Sequence, residues 1–319
     1  EKNESSAKSV MEMLRKNKME QNAKWIGMLS MEDPIRSGVK EAITDAKQAG
    51  VEVRVITGDY RHTAESIMKK IGIKVVPEQI LEGWEVEKMS EHELRKVVNN
   101  VLLFARTRPS QKLKIVRALR SNGRVVGMMG DGVNDAPALA EAHIGMVVGD
   151  ATDLAKDAAD LVLIDSNFST IIDAIEEGRI IFDNIRKVIL FLLGTAFTEV
   201  LVVLGSLLMG WGPALTAAQI LWINLVTEVL PYMALTVDPK NGNVLKRKPI
   251  DAKTALIDRQ LLILMGITSV VVAGAALLTY YLWLAYSEIE ASTGAFMVVS
   301  LASLLFAFSA RRLHLPIWE

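Results

Sequence analysis

Carboxylate and amide side chains cluster in the segment 128–139, which reads MMGDGVNDAPAL. Asp131 and Asp135 are four residues apart, and Asn134 precedes the second aspartate. Mg²⁺ is usually held by one or two carboxylates together with water and phosphate oxygens. An Asp-Gly turn followed by a helix N-cap is the plainer alternative, but the twelve-residue string is more specific than a turn requires. The segment therefore predicts a magnesium-binding, phosphoryl-transfer chemistry.

Two other segments offer groups that bind phosphate. Thr57, Gly58 and Asp59 follow the apolar run VEVRVI, and the threonine and the amides after it would bind a phosphoryl oxygen at a helix N-terminus. A capped helix start is the alternative, and it would be favoured if this motif stood alone. Lys112, in RPSQKLKIV, can neutralise charge on a transferring phosphoryl group, although most lysines are simply solvated.

The elements that must position these groups form an alternating pattern over residues 20–165. Strands alternating with helices predict an α/β domain with a parallel sheet, whose ligands bind off the carboxyl ends of the strands. The predicted strands are 25–30, 51–57, 101–106, 124–129, 144–148 and 161–164. The predicted helices are 36–49, 60–71, 109–121, 134–142 and 151–158. The segment 75–100 fits the alternation poorly and is interpreted as an insertion.

The second half of the chain is apolar. Half of the 319 residues are hydrophobic while 23% are charged, which favours a water-soluble part joined to a membrane part. Segments of about 17–25 apolar residues predict membrane-spanning helices. The predicted spans are about 188–209, 214–237, 261–286 and a shorter one at 294–310. Basic residues in alternate loops place residues 1–187 and 238–260 on the cytoplasmic side.

No Gly-, Pro- or Ser-rich linker separates the two halves. Residues 167–187 predict an amphipathic helix that starts at 166–169 and continues into the membrane, so it would act as a stiff lever. An ordinary connection between domain and membrane is the alternative.

Polar side chains within the predicted spans indicate a cation site, because such groups are costly in hydrocarbon and are by default functional. Glu199 lies near the middle of the first span, and Asn224, Thr227 and Glu228 lie midway along the second. Spacings of three and four predict that the last three share one helix face. Hydrogen bonding between helices is the alternative for Asn224 and Thr227.

Net charge and cysteine content exclude other classes. The formal net charge is −1, which gives no electrostatic argument for a nucleic-acid partner. The chain has no cysteine, which excludes disulfides and thiolate metal sites in it.

The order TGD, FARTRPSQK and MMGDGVNDAPAL, each at a strand end, is the plan of the haloacid dehalogenase-like phosphotransferases. With IEEGRIIFDNIRK before the membrane and INLVTEVLP within it, the chain resembles the P-type ATPases, and the calcium pumps among them, over about residues 25–310. The resemblance implies these regions: 1–24, a polar lead-in left from a nucleotide-binding region; 25–166, the C-terminal part of a haloacid dehalogenase-like, Rossmann-like phosphorylation domain; 167–187, a stalk helix; 188–310, an α-helical transmembrane bundle; and 311–319, a cytoplasmic end.

The resemblance also implies roles for the phosphate-binding segments. Asp131 would ligand Mg²⁺ with support from Asn134 and Asp135, and the TGD residues would bind the transferred phosphoryl group and the metal. Lys112 would contact a phosphorylated aspartate. Asp33, in a matching DP motif, and Arg106, in FAR, would shape the side that binds ATP.

In the membrane, the resemblance implies that Glu199, Asn224, Thr227 and Glu228 ligand the transported cation. Ca²⁺ is favoured, while Na⁺, Mn²⁺ and counter-transported H⁺ stay open. Ala196 stands where the calcium pumps have an asparagine, and Phe306 stands where they have an acid. One bound ion is therefore expected rather than two.

The aspartate that the family phosphorylates, in a DKTG motif, is absent from this sequence, as is its TGE loop. The chain is thus expected to be the C-terminal part of a cation pump, inactive alone and partnered by the missing N-terminal part, ATP and the lipid bilayer. A non-catalytic membrane fragment with a binding or regulatory role is the alternative.

Overall fold

The computed structural model describes residues 26–28, 34–165, 167–240, 242–250 and 254–311. The chain divides into two compact units, Glu1–Ile35 and Arg36–Glu319. In the first unit the described residues are in neither helix nor strand, so the strand predicted at 25–30 is wrong at 26–28. A strand needs a neighbour for its backbone hydrogen bonds, and no ladder of the described residues includes these three, which are exposed. Asp33 lies outside the described residues.

Strands and helices alternate in the first part of the second unit. The strands are β1 (Val55–Ile56), β2 (Ile80–Glu82), β3 (Leu103–Ala105), β4 (Gly127–Gly130), β5 (Ile144–Val148) and β6 (Leu161–Leu163). The helices are α1 (Val39–Gln48), α2 (Arg61–Lys70), α3 (Gly83–Lys88), α4 (Glu91–Val97), α5 (Pro109–Ser121), α6 (Ala136–Glu141) and α7 (Asp153–Asp157). Each predicted helix of this part therefore overlaps an observed one.

The described strands form two parallel sheets of three strands, in the orders β1-β3-β2 and β4-β5-β6. Every pairing within them is parallel, which confirms the predicted α/β architecture. The interpretation of 75–100 as an insertion is wrong, because β2 lies within it and pairs with β3 over Ile80–Glu82. Periodicity missed this strand because it is only three residues long and two short helices follow it directly.

Helix α5 joins the cores of the two sheets. Ile115 packs in the cluster around Phe104 of β3, whereas the adjacent Val116 packs in the cluster around Met128 of β4. Successive residues of a helix point in different directions, so one helix covers both sheets. Both carboxyl ends that carry the predicted phosphate-binding motifs are thereby fixed to one element.

Among the described residues, four helices are long and apolar enough to span a membrane, as predicted. They are α8 (Ser169–Leu208), the bipartite segment α9 (Ala217–Trp222) and α10 (Val229–Thr236), α11 (Arg259–Leu284), and α12 (Glu288–Ala310). The last helix has 23 residues, so the expectation of a short one is wrong. Ser287 accepts a hydrogen bond from Glu290 N and starts this helix six residues earlier than the apolar run begins.

The second span is not a continuous α-helix. Residues Ile223–Thr227 form a π-helical turn, in which Glu228 N donates to Ile223 O at 3.0 Å. Such turns are rare insertions in α-helices and occur frequently at functional sites. This turn covers two of the four predicted cation ligands and ends at a third.

Candidate functional site

The TGD segment forms a tight turn at the carboxyl end of β1. Thr57 Oγ1 lies 3.0 Å from Asp59 Oδ2 and accepts a hydrogen bond from Asp59 N at 3.1 Å. Thr107 fixes the turn from the neighbouring strand, since its backbone N and its Oγ1 both donate to Thr57 O. Gly58 and Asp59 are exposed at the tip of this turn. Gly58 and Asp59 are therefore at the surface where the sequence predicted phosphate contacts, although Asp59 N is already bonded to Thr57 Oγ1.

Arg106 lies at the corresponding end of β3, next to this turn. Its φ of 51° is the only left-handed backbone conformation of a non-glycine residue in the described part of the chain. Such conformations cost energy and persist where the surrounding structure enforces them. Arg106 N donates to Asp59 O, and the guanidinium lies over the ring of Tyr60 at 4.5 Å from its centroid. The left-handed backbone of Arg106 therefore places an exposed guanidinium beside the TGD turn.

The GDGVND segment follows β4 and enters α6 through a 3₁₀ turn, Val133–Asp135. Asp131 and Asn134 are exposed, whereas Asp135 is buried. A Cβ on Gly130 would lie 2.6 Å from Asp135 Cβ, closer than real atoms approach, so only glycine lets Asp135 turn back against the strand end. The turn thus presents one carboxylate outward and directs the other inward.

The inward carboxylate pairs with the predicted lysine. Lys112 Nζ lies 2.6 Å from Asp135 Oδ1, and the two side chains are 15% and 9% exposed. Helix α5 and the turn after β4 are thereby joined by a largely buried ion pair. Of the predicted residues, the structure brings together Lys112 with Asp135 and Thr57 with Asp59.

The donor set at the end of β4 suits a hard divalent cation. Asp131 presents an exposed carboxylate and Asn134 an exposed amide on one turn, and oxygen ligands of this kind hold Mg²⁺ together with water and phosphate. The described residues contain no group of three or more His, Cys, Asp or Glu side chains that would by itself hold a metal ion. A metal here would therefore take most of its ligands from phosphate, from water or from other parts of the protein.

The stalk is the first part of α8, which runs unbroken for 40 residues. Arg179 donates to Val244 O and Arg247 O, each at 2.9 Å, and to Ala49 O at 2.6 Å. Ala49 follows α1, so one guanidinium joins the stalk to the soluble domain and to the loop between the second and third spans. The predicted lever is therefore fixed on two sides by one side chain.

In the membrane, the structure brings Asn224 to Glu199. Asn224 Nδ2 donates to both Glu199 carboxylate oxygens, at 3.2 and 3.1 Å, and to Ile220 O. Glu199 is 8% exposed. Two predicted ligands on different helices are thus in direct contact.

Glu228 is the most deeply buried of the predicted cation ligands. It is 2% exposed, and its Oε1 has no hydrogen-bond partner in the described structure. Thr195, which the sequence analysis did not single out, interacts with Glu228 from α8. An unsatisfied buried carboxylate oxygen is costly in an apolar region and calls for a ligand or a proton.

That Asn224, Thr227 and Glu228 share one helix face stays a prediction. Asn224 is exposed and Thr227 is partly buried, whereas Glu228 faces the interior. Asn224 and Thr227 lie within the π-helical turn, which changes the angle between successive side chains relative to an α-helix.

Comparisons with known proteins agree with the fold. Family models described as haloacid dehalogenase-like hydrolase match residues 6–143 and 112–175. The class of protein is therefore a haloacid dehalogenase-like domain followed by four membrane-capable helices. A third family model, described as the C-terminus of cation transporting ATPases, matches residues 212–319.

Curated relatives narrow the class. The chain is 41% identical over 311 residues to calcium-transporting ATPase 1 of Bacillus cereus, covering 92% of this chain and 35% of the relative. It is 42% identical over 300 residues to a calcium-transporting ATPase of Bacillus subtilis, covering 92% and 34%. It is 36% identical over 258 residues to the human calcium-transporting ATPase type 2C member 1, covering 81% and 28%. The chain spans about a third of the length of these relatives.

The chain belongs to the P-type cation-transporting ATPases. It is a multi-pass membrane protein with a haloacid dehalogenase-like domain. The predicted domain boundaries and the roles of individual site residues stay predictions.

Proposed function

We propose that this chain is the C-terminal part of a pump that uses ATP hydrolysis to move a cation, Ca²⁺ in preference to others, across a membrane. An aspartyl-phosphate would form on a part of the protein that this sequence does not contain. The observation that carries the proposal is α8, which holds Glu199 in the membrane and is tied by Arg179 to the soluble domain. These two residues are twenty apart, which is about 30 Å along one continuous helix.

In the soluble domain, Lys112 and the TGD turn would bind the phosphoryl group, and Arg106 would lie beside the nucleotide. Asp131 and Asn134, with Asp135 behind them, would hold Mg²⁺, which would neutralise phosphate charge during transfer. The Lys112–Asp135 pair keeps the lysine ammonium at the strand ends without a phosphate present. When the phosphorylated segment approaches, the same ammonium can also bind its oxygens, since it has three donors.

In the membrane, Glu199, Asn224, Thr227 and Glu228 would ligand the cation. Rotation of the Asn224 amide by half a turn would replace its donor by its carbonyl oxygen, which a cation accepts as a ligand. The unpartnered Oε1 of Glu228 supports a ligand on that side. Residues 1–187 and 238–260 would lie in the cytoplasm, by the distribution of basic residues.

The test is the Glu228→Gln variant of the complete pump-length protein in sealed vesicles. We expect cation-dependent ATPase activity and cation uptake to be lost, because the substitution removes the charge that a desolvated cation needs. Glu290→Gln, an exposed acid in the first turn of α12, is the matched control and should leave both unchanged. Full activity of Glu228→Gln would refute the assignment of the membrane site.

The second candidate is a non-catalytic membrane fragment with a binding or regulatory role. The observation in its favour is the absence of a DKTG aspartate from this sequence. The stretch encoded upstream of Glu1 discriminates between the two, because a DKTG motif there would establish the pump.

A further inference from the structure

A buried carboxylate lies between α8 and the C-terminal ends of α10 and α12. Asp238 follows α10, and its Oδ2 lies 2.6 Å from Lys187 Nζ on α8. Its Oδ1 lies 2.6 Å from Nε of Arg311, the residue that directly follows α12. The side chains of Lys187 and Asp238 are 4% and 5% exposed, whereas Arg311 is half exposed. The carboxylate thus bridges two cations that belong to different helices.

A neighbouring amide fixes the backbone that carries this carboxylate. Asn184 Nδ2 donates to Asp238 O at 2.8 Å and to Thr236 O at 3.3 Å, and its Oδ1 accepts from Lys187 Nζ at 3.0 Å. Lys187 therefore has its charge balanced only while the end of α10 stays in place. A buried ammonium without its carboxylate is strongly unfavourable.

The Asp238–Lys187 bridge is a second contact between the helices that hold the predicted cation ligands. Lys187 and Glu199 are twelve residues apart on α8, which is about 18 Å, and Asp238 follows Glu228 by ten residues, about 15 Å of helix. The Asn224–Glu199 contact is the other one. Because these two contacts lie at different positions along α8, together they oppose both sliding and rotation of the second span against α8.

We propose that Asp238 is a positioning residue, which sets the register of the second span against α8 and so keeps Glu228 and Asn224 at coordinating distance from Glu199. The inference rests on the proposed cation site and extends it to a residue that does not touch the cation. Movement of the stalk is transmitted through Lys187 and Asp238 to the helix that carries Glu228.

Loss of the bridge changes the fraction of molecules in which the ligands on the two helices are positioned to bind the cation. A cation held by ligands from two helices binds only the fraction of molecules in which both helices are in register. The apparent dissociation constant rises in inverse proportion to that fraction. Loss of the bridge therefore weakens cation binding without altering the ligands themselves.

The first arm of the test measures cation-dependent ATPase activity of the complete pump-length protein carrying Asp238→Asn. We expect the cation concentration for half-maximal activity to rise about tenfold, which corresponds to about 1.4 kcal/mol. The level of phosphoenzyme at saturating cation should stay near that of the wild type. Glu52→Gln, at an exposed acid that pairs with Arg54, is the control and should change neither quantity.

A double variant separates positioning from mere stability. Lys187→Met with Asp238→Leu leaves no unpaired buried charge, and such apolar replacements often preserve folding. It also removes the ion pair between α8 and the end of α10 and leaves there only the hydrogen bonds of Asn184 to the backbone. We therefore expect folding to be kept and the half-maximal concentration to stay raised. Wild-type cation dependence in this double variant, or in Asp238→Asn, overturns the proposal. If the Asp238→Asn protein does not accumulate in the membrane, the cation dependence of the double variant alone tests the proposal.

The second arm does not depend on pumping. The chain has no cysteine, so Glu199→Cys with Asn224→Cys introduces its only thiol pair, and a short bifunctional thiol reagent reports their proximity. Adding Asp238→Asn should lower the cross-linking rate at least about threefold if the competent fraction falls as expected. An unchanged rate overturns the positioning role, whereas a wild-type protein without cation-dependent ATPase activity refutes the proposed function instead.

Discussion

Replacing Lys112 by methionine tests how much its ion pair with Asp135 stabilises the turn after β4. The side chains of Lys112 and Asp135 are 15% and 9% exposed, so Lys112→Met leaves a largely buried carboxylate without its cation. Breaking a fully buried pair costs about 3–5 kcal/mol, and the residual exposure reduces this to about 2–3 kcal/mol. The turn Val133–Asp135 loses this stabilising free energy, because it carries the carboxylate that is left without its cation.

Hydrogen exchange of the amides in this turn and in α6 measures the effect in the complete protein. If these amides exchange by local opening, the rate should increase about 30- to 150-fold, at about 1.4 kcal/mol per tenfold. Arg117→Met on the same helix is the control, since its pair with Glu141 is more than half exposed at the arginine and is worth under about 1 kcal/mol. Exchange within about twofold of the wild type in Lys112→Met would refute the reasoning.

Three further predictions concern other contacts. Gly130→Ala should displace Asp135 and destabilise the domain by about 1–3 kcal/mol, measured by thermal unfolding, and an unchanged midpoint would contradict the steric argument. Arg179→Lys should free the loop 242–250 for faster proteolysis, because one ammonium cannot reach the three carbonyls that the guanidinium bridges; wild-type cleavage rates would contradict this. Leu261 N donates to the carboxylate of Asp258 and lowers its pKa, with a smaller contribution from Arg186. The stabilisation by this cap is present above the ordinary carboxyl pKa near 4 and is lost as the pH falls through the lowered value, so Asp258→Asn should flatten the acid limb of the unfolding midpoint against pH.

The segments proposed to bind phosphate and Mg²⁺ were recognisable from local sequence. TGD and GDGVND each contain a glycine next to polar oxygen donors directly after an apolar strand, and ligands of parallel sheets bind off the carboxyl ends of the strands. The sequence did not reveal that Asp135 turns inward to Lys112 while Asp131 faces outward. That difference depends on the space left by Gly130 and on how α5 packs across both sheets.

The elements that sequence reasoning missed are short or depend on distant partners. β2 has three residues, too few to show a period, and is stabilised by pairing with β3. The single predicted sheet is two sheets among the described residues, and strand order is a property of pairing between distant segments that periodicity does not contain.

Hydropathy determined the number of membrane helices, because burying about 20 residues in hydrocarbon requires an apolar composition that is visible in any window. It also exposed Glu199, Asn224 and Glu228, since polar groups stand out in such a background. Only the tertiary structure decided which of them meet, because the contact of Asn224 with Glu199 joins two different helices.

Asp238 shows most clearly the difference between what the sequence reveals and what the tertiary structure reveals. In the sequence it is one acid in a basic loop, and nothing near it indicates burial. Its two partners lie 51 and 73 residues away, so their charges meet only when three helices pack side by side. The sequence determined the kinds of groups this protein uses and the elements that carry them, since those depend on residue type and local period. The structure decided which groups are neighbours, because contact between distant segments is fixed by packing and by the cost of leaving a buried charge alone.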